Sequence, residues 1–152
     1  MNDIPANGRI LALDVGGKRI GVAMSDPDRI IASGQPTIDA QPPKQALARI
    51  ADLVDREAVT QIVIGLPLTL RGEVGPQAEV IQKFAQELEK RVSVPVALYD
   101  ERLTSVAAER SLEAMGVKKN KRRDHVDEMA AVLILQAYMD SLRFARPWQD
   151  EE

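Results

Sequence analysis

Residues 10–26 read ILALDVGGKRIGVAMSD, and they constrain the fold more than any other part of the chain. Two nearly all-apolar runs, residues 9–15 and 19–25, are joined by the short segment GGKR. Apolar runs of this length are typical of strands that are covered on both faces of a sheet. Glycine pairs supply the positive backbone angles that a tight hairpin needs. We therefore predict two central strands joined by a hairpin.

One carboxylate interrupts the first of these runs. Asp14 stands among apolar residues that the pattern assigns to a buried strand. Burying a carboxylate costs several kcal/mol unless it is paired or holds a metal ion. Two readings stay open: Asp14 accepts hydrogen bonds from the turn amides of Gly16 and Gly17, or it is the first ligand of an active site.

The other elements follow from hydrophobic periodicity and from the glycines and prolines between apolar runs. Pro36 places the third strand at an edge of the sheet. The last helix is expected to bury Val126, Met129, Ala130, Leu133 and Ala137. Further strands are predicted at residues 30–38, 60–67 and 94–102, a mobile loop at 68–75, and helices at 42–58, 76–92, 104–115 and 125–144.

This order predicts one α/β domain over residues 1–152, with flexible tails at 1–8 and 145–152. The expected sheet is mixed and five-stranded, in the order 3-2-1-4-5 with strand 2 antiparallel, and helices flank both faces. Clefts in such sheets lie at the carboxyl ends of parallel strands. Asp14, Gly65 and Glu101 all fall at such ends.

Composition excludes several classes of site. The 152 residues contain no cysteine and a single histidine, so thiolate and multi-histidine metal sites are excluded. A divalent cation would need oxygen ligands, which favours Mg²⁺ or Mn²⁺. No apolar run approaches the roughly 18 residues of a membrane span, and the N-terminus lacks a signal-peptide pattern. A cytoplasmic protein without a membrane partner is therefore expected.

Acidic residues stand at the boundaries of three predicted elements, and they could hold one or two cations for phosphodiester hydrolysis. Strand five lies two strands from strand one, roughly 9–10 Å away at the backbone. This distance favours the longer side chain of Glu101 over that of Asp100. The alternatives are solvated strand-end charges and, for Asp127, an interaction with the helix dipole behind a capping Asp124. The acids are Asp14, Asp100, Glu101, Asp124, Asp127 and Glu128.

Cations cluster beside the last helix, although the net charge of the chain is −3. Such a patch on an acidic body is either a solvated surface run or a contact for phosphate groups. Arg102 could pair with Asp100 or reach a phosphate, and Gly65 could serve packing or a close approach of nucleic acid. His125 is expected to be an exposed helix-start residue. The candidate nucleic-acid-binding residues are Lys18, Arg19, Arg102, Lys118, Lys119, Lys121, Arg122 and Arg123.

Four segments, LALDVGGKRIGVAMSD, IVIGLP, YDERLTS and DEMAAVLILQAYMD, resemble the YqgF (RuvX) family in sequence and in order. The resemblance covers about residues 9–142. It implies a ribonuclease H-like fold and a metal-dependent nuclease that matures the 5′ end of 16S ribosomal RNA. A Holliday-junction resolvase acting on four-way DNA, and a nucleic-acid- or ribosome-binding module without turnover, are the alternatives.

The family's acidic triad corresponds here to Asp14, Glu101 and Asp127, and the resemblance implies that they are both the catalytic residues and the ligands of Mg²⁺ or Mn²⁺. Only the last position of the DERLTT motif differs, where Ser105 retains a hydroxyl group. The expected partners are a ribosomal RNA precursor, branched DNA and a ribosomal subunit, and the expected state is a monomer or weak homodimer. Supporting roles fall to Gly16, Gly65, Pro67, Asp100 and Asp124.

Overall fold

Five strands and three α-helices occupy the part of the chain that the computed structural model describes. That part is the backbone of residues 7–104 and 123–150, with the side chains of 7–104 and 129–144. In chain order the elements are β1 (Arg9–Val15), β2 (Arg19–Ser25), β3 (Ala32–Asp39), α1 (Pro43–Arg56), β4 (Val59–Leu66), α2 (Pro76–Glu89), β5 (Val96–Asp100), a 3-10 helix (Glu101–Leu103) and α3 (Arg123–Asp150).

The strands form one mixed sheet in the order β3-β2-β1-β4-β5. Strand β1 is central: Leu13 pairs with Val22 of antiparallel β2 on one side and with Ile64 of parallel β4 on the other. Strand β5 pairs in parallel with β4. The predicted strand order and the antiparallel second strand are therefore confirmed.

Alternation along the strands divides the core between the two faces of the sheet. Leu11 and Leu13 of β1 pack in the same cluster as residues of α1 and α2, including Ile50 and Leu88. The neighbouring positions of β1 face α3 instead. Two layers of helix thus cover the sheet, and the face under α3 is the one that receives every second residue of β1 from Ile10 onward.

The β1–β2 hairpin forms as predicted, but its glycines are not there for their backbone angles. Neither Gly16 nor Gly17 has a positive φ. The N–H of Gly16 donates to the carbonyl oxygen of Arg19 at 3.0 Å, and a Cβ on Gly16 would lie 2.8 Å from that same oxygen. Gly16 is therefore needed for a close backbone approach, and the prediction of positive backbone angles is wrong.

The buried face of α3 is also rotated from the predicted one. Met129 is 53% exposed, and Leu133 and Ala137 are only half-buried. Val126 lies outside the described side chains. The helix is apolar around most of its circumference, so several faces fit the helical period and contact with the sheet selects one. The buried residues are Ala130, Ala131, Ile134, Leu135, Tyr138 and Met139.

The edge position of β3 is confirmed, but the strand begins at Ala32. Ile30 and Ile31 lie outside it because their N–H groups donate to Asp26 Oδ1 at 2.7 and 2.8 Å. Pro36 lies in a β-bulge where two residues of β3 face one of β2. A residue without an N–H is tolerated at an edge or a bulge, since no ladder hydrogen bond is lost there.

Several predictions fall on parts of the chain that are not described. The helix at 104–115, apart from residue 104, and the basic segment at 118–122 lie outside the described residues, and the single-domain assignment with flexible tails stays a prediction. Within residues 7–104 and 123–150, no helix has the length and apolar character needed to cross a lipid bilayer.

Ala58 has a φ of 54° directly after the C-cap residue Glu57 of α1. Left-handed backbone is unfavourable for residues with a Cβ, and glycine is the usual residue at this position. We expect Ala58→Gly to raise the free energy of unfolding by about 0.5–1 kcal/mol, measured by urea denaturation. The control Ala48→Gly, at an exposed site inside α1, should lower it by a similar amount. A loss of stability in Ala58→Gly would contradict this account.

Candidate active site

Asp14 is the penultimate residue of β1, and its side chain is only 4% exposed. Counting along the strand from Ile10 and Ala12, which face α3, the alternation places Asp14 on the same face of the sheet. The carboxylate therefore lies at the carboxyl end of the central strand and under α3. One hypothesis was that Asp14 accepts a hydrogen bond from the N–H of Gly16. That N–H instead donates to the carbonyl oxygen of Arg19 within the hairpin.

Glu101 follows β5 directly and is 3% exposed. The strand was predicted to continue to residue 102, but it ends at Asp100 because a 3-10 turn begins at Glu101. The carbonyl of Glu101 accepts hydrogen bonds from the N–H of Thr104 at 3.0 Å and from its hydroxyl at 2.8 Å. This turn redirects the chain and brings the Glu101 side chain back over the sheet.

Gly65 of β4 lies between these two carboxylates. It pairs with Tyr99 of β5 and comes one residue after the pair Leu13–Ile64 that joins β4 to β1. A Cβ on Gly65 would lie 2.8 Å from Oε1 of Glu101 and 3.1 Å from its Cγ. The Glu101 carboxylate therefore occupies the space above Gly65, about one strand spacing, or ~4.8 Å, from β1.

Helix α3 covers the same glycine. The Cδ1 atom of Ile134 would lie 2.7 Å from a Cβ on Gly65, and Ile134 is fully buried. Gly65 is thus buried beneath Glu101 and Ile134. Of the two roles considered for Gly65, packing is the one that the geometry supports, and a close approach of nucleic acid to this backbone is not.

Arg102 and Asp100 pair with each other beside Glu101. The Arg102 guanidinium donates to Asp100 from Nη2 at 2.7 Å and from Nε at 3.1 Å. These hydrogen bonds lower the pKa of the Asp100 carboxyl below its ordinary value and raise the pKa of Arg102. Of the two roles left open for Arg102, internal pairing is the observed one.

The remaining candidate residues divide into described and undescribed ones. Lys18 is exposed and Arg19 is half-buried in the β1–β2 hairpin, at the same end of β1 as Asp14. Pro67 is half-buried directly after β4. Outside the described side chains lie Lys118, Lys119, Lys121, Arg122, Arg123, Asp124, His125, Asp127 and Glu128.

Asp14 and Glu101 are the two buried acidic residues of the part of the chain whose side chains are described. Among those residues, no group of three or more histidine or acidic side chains could hold a metal ion. Two buried carboxylates at the ends of neighbouring parts of one sheet nevertheless supply oxygen ligands of the type that hard divalent cations prefer.

Comparison with known proteins identifies the family. Residues 8–141 match the family model described as "RuvX: Holliday junction resolvase". The chain belongs to the RuvX family. A relative from Chloroflexus aurantiacus, named "Putative pre-16S rRNA nuclease", is 54% identical over 134 residues, which are 88% of this chain and 88% of the relative. Relatives of the same name from Roseiflexus and Geobacillus are 50% and 46% identical, over 90% and 88% of this chain and 96% and 98% of theirs.

Solved structures with the same fold are much more distant in sequence from this RuvX-family chain. Thermus thermophilus RuvC in complex with a Holliday junction substrate superposes with a TM-score of 0.52 at 15% identity, covering 88% of this chain and 96% of RuvC. The fowlpox virus Holliday junction resolvase gives 0.51 at 15% identity, covering 88% and 99%. These likenesses confirm the ribonuclease H-like fold and carry no statement about activity.

Two contributors to the RuvX-family site were missed by the sequence reasoning. Ile134 was not singled out, although it lies seven residues after Asp127 and therefore near the same helical face. The second is Gly72, in the predicted mobile loop at 68–75. Thr69 and Glu73 exchange two hydrogen bonds across this loop, and the N–H of Gly72 donates to the Thr69 carbonyl at 2.8 Å.

The first prediction for this site concerns Gly65. Adding a methyl group in Gly65→Ala forces both Glu101 and Ile134 to move, so we expect a loss of about 1–3 kcal/mol in the free energy of unfolding. Urea denaturation measures the loss. The matched control is Gly17→Ala, because a Cβ there would meet nothing within 4 Å and its φ is not positive.

A second variant separates the two clashes. Ile134→Val removes the Cδ1 atom that would meet the new methyl group, so the double variant Gly65→Ala/Ile134→Val should recover part of the stability. The displacement of Glu101 remains, so cleavage activity should stay low. Full activity in either variant would contradict the placement of Glu101 above Gly65.

The next prediction follows from the lowered pKa of Asp100. A carboxyl whose pKa is lower in the folded chain than in the unfolded chain stabilises the fold at pH values above about 4. This contribution is lost as the pH falls through the folded-state pKa. We expect wild type to exceed Asp100→Asn in stability at pH 7, and the difference to shrink below about pH 4. A difference that is independent of pH between 7 and 2.5 would contradict the pairing.

Proposed function

We propose that this protein is a metal-dependent nuclease that hydrolyses a phosphodiester bond in a ribosomal RNA precursor. The observation that carries the proposal is the position of the buried Glu101 carboxylate above Gly65 of β4, next to the strand whose carboxyl end carries the buried Asp14. Membership of the RuvX family and the names of its relatives support the reaction class.

The residues of this site fit Mg²⁺ or Mn²⁺. Both carboxylates are almost fully buried on one face of the sheet, and both carry only oxygen donors. Like charges in such a position repel each other unless a cation or a proton lies nearby. A bound divalent cation would stabilise the charge that develops on the phosphate and would lower the pKa of attacking water. Asp14 and Glu101 would hold it.

Asp127 completes the proposed set of ligands. Its side chain lies outside the described residues, but position 127 is in α3, three and four residues before the buried Ala130 and Ala131. Residues with this spacing share a helical face, and Ile134 on that face packs over Gly65. The helix would thus carry the third carboxylate toward the same end of the sheet.

Flanking phosphates of the substrate would be bound by cations around this edge. Lys18 and Arg19 lie at the hairpin end of β1, and the segment 118–123 immediately precedes or begins α3. Each phosphate contact of a lysine or arginine steepens the salt dependence of binding. The proposed partners are nucleic acid and, through the precursor, a ribosomal subunit, in the cytoplasm.

Maturation at the 5′ end of 16S ribosomal RNA is the substrate assignment. The names of the 43–54% identical relatives, which specify a pre-16S rRNA nuclease, support the choice of precursor. A four-way DNA junction is the second candidate, because the description of the matching family names a Holliday junction resolvase. Paired symmetric cuts across a junction require two active sites, so this candidate demands a dimer. A binding module without turnover is the third.

The experiment uses end-labelled RNA carrying the unprocessed 16S 5′ extension, with a four-way DNA junction in parallel. We expect Mn²⁺-dependent cleavage of the RNA by wild type and a loss of at least about 100-fold in Asp14→Asn and Glu101→Gln, since even residues that only orient metal ligands cost 10–100-fold. Preferred cleavage of the junction would select the second candidate.

A readout that does not depend on turnover accompanies this assay. Mn²⁺ should raise the midpoint of thermal unfolding of wild type, because a ligand that binds only the folded state stabilises it. The same addition should have little effect on Asp14→Asn. Equal Mn²⁺ stabilisation of both proteins would remove the proposed metal site. Tight RNA binding without cleavage of either substrate would favour the binding module.

A further inference from the structure

The Arg102 side chain contacts two separate parts of the protein. Besides its bonds to Asp100, its Nη1 atom donates to the carbonyl oxygen of Leu70 at 3.4 Å. Leu70 belongs to the loop that follows β4 and is otherwise exposed at 97% of its surface. The guanidinium therefore spans from the end of β5 to the loop after the neighbouring strand.

Gly72 accommodates this guanidinium at close range. A Cβ on Gly72 would lie 3.2 Å from both Nη atoms of Arg102, and the residue has a φ of +81°. The positive φ favours glycine here, and a Cβ would make the guanidinium shift by a few tenths of an ångström. The loop is closed by the hydrogen bonds between Thr69 and Glu73, so Arg102 contacts a well-defined turn.

The same ion pair fixes the backbone on both sides of Glu101. Oδ1 of Asp100 accepts the backbone N–H of Arg102 at 2.9 Å, which caps the 3-10 turn, and also accepts from the guanidinium of the same residue. Asp100 precedes Glu101 and Arg102 follows it. Hydrogen bonds between the residues on either side of Glu101 restrict the backbone dihedral angles of Glu101.

We propose that Arg102 is a positioning residue: through Asp100, the carbonyl of Leu70 and the backbone at Gly72, it holds the turn that directs Glu101 over Gly65. The inference rests on the proposed nuclease function, for which Glu101 is a metal ligand. It replaces the expectation that Arg102 contacts a phosphate of the substrate. Arginine suits the task because its planar group can donate to a carboxylate and a carbonyl at once, which a lysine cannot do in the same geometry.

Amide hydrogen exchange tests, without any substrate, whether Arg102 holds the loop and the turn in place. In Arg102→Ala we expect the amides of Gly72, Glu73 and Thr104 to exchange at least about tenfold faster than in wild type, as expected for losing a hydrogen bond between charged groups. Exchange that is unchanged at the loop or at Thr104 would overturn the inference. This readout stands even if wild type cleaves neither substrate, in which case the proposed function fails separately.

Kinetics test whether Arg102 affects catalysis rather than RNA binding. A shift of about 1 Å in a catalytic group can cost roughly 100-fold in rate, so kcat of Arg102→Ala should fall by about that factor while the Kd for RNA changes less than about twofold. A phosphate contact predicts the opposite: a weaker Kd, a salt dependence reduced by about one unit of slope, and kcat near wild type. That result would overturn the inference.

Arg102→Lys separates the two roles even if the alanine variant is poorly folded. Lysine keeps the positive charge, so a phosphate contact would survive, whereas the positioning role predicts a kcat as low as in Arg102→Ala.

Asp100→Asn should lower kcat too. The double variant Asp100→Asn/Arg102→Ala should be no worse than the more impaired single variant, because both residues act through one pair. Additive losses would overturn the inference.

Arg71→Ala is the matched control. Arg71 is exposed in the same loop, so its removal takes away one positive charge and leaves the Asp100–Arg102 pair in place. Exchange at Gly72 and kcat should both remain at the wild-type value. A loss of kcat in this variant equal to that of Arg102→Ala would show that charge, rather than positioning, explains the effect.

Discussion

The geometry of the proposed site depends on glycine at position 65, because there is no space for a side chain there. Strands β1 and β5 are separated by β4, and any residue larger than glycine at this position of β4 would occupy the space of the Glu101 carboxylate. Because Gly65 has no side chain, the carboxylate of Glu101, which directly follows the edge strand β5, can lie over β4 in the direction of β1. The same vacancy lets Ile134 bring α3 down onto the sheet, so one glycine sets the position of two elements of the proposed site.

The electrostatics of the site divide into an inner pair and an outer pair. Asp14 and Glu101 are buried and of like charge, which suits a cation site and not a stabilising interaction. Asp100 and Arg102 are more exposed and opposite in charge, and they neutralise each other. The exposed pair can therefore fix the backbone around Glu101 without adding charge to the two buried carboxylates, which are the proposed metal ligands.

The sequence was sufficient for the strand order, because the apolar runs and the segments between them can be located from local patterns. It also placed Asp14 and Glu101 at strand ends, where both are buried, while their role as site residues stays a prediction. The bounds of β1 and β2 agree with prediction to the residue. The buried face of α3 was not predictable, since its apolar residues fit several faces and only contact with the sheet selects one. Nor was the pairing of Arg102, because an arginine beside an aspartate serves equally well for a bound phosphate.

The most direct measurement of the central claim is anomalous diffraction at the manganese edge from crystals equilibrated with Mn²⁺. The account predicts an anomalous peak between the carboxylates of Asp14 and Glu101, above Gly65, within ordinary carboxylate coordination distance of both. A strong peak elsewhere on the chain, with none between these two carboxylates at a saturating Mn²⁺ concentration, would contradict it.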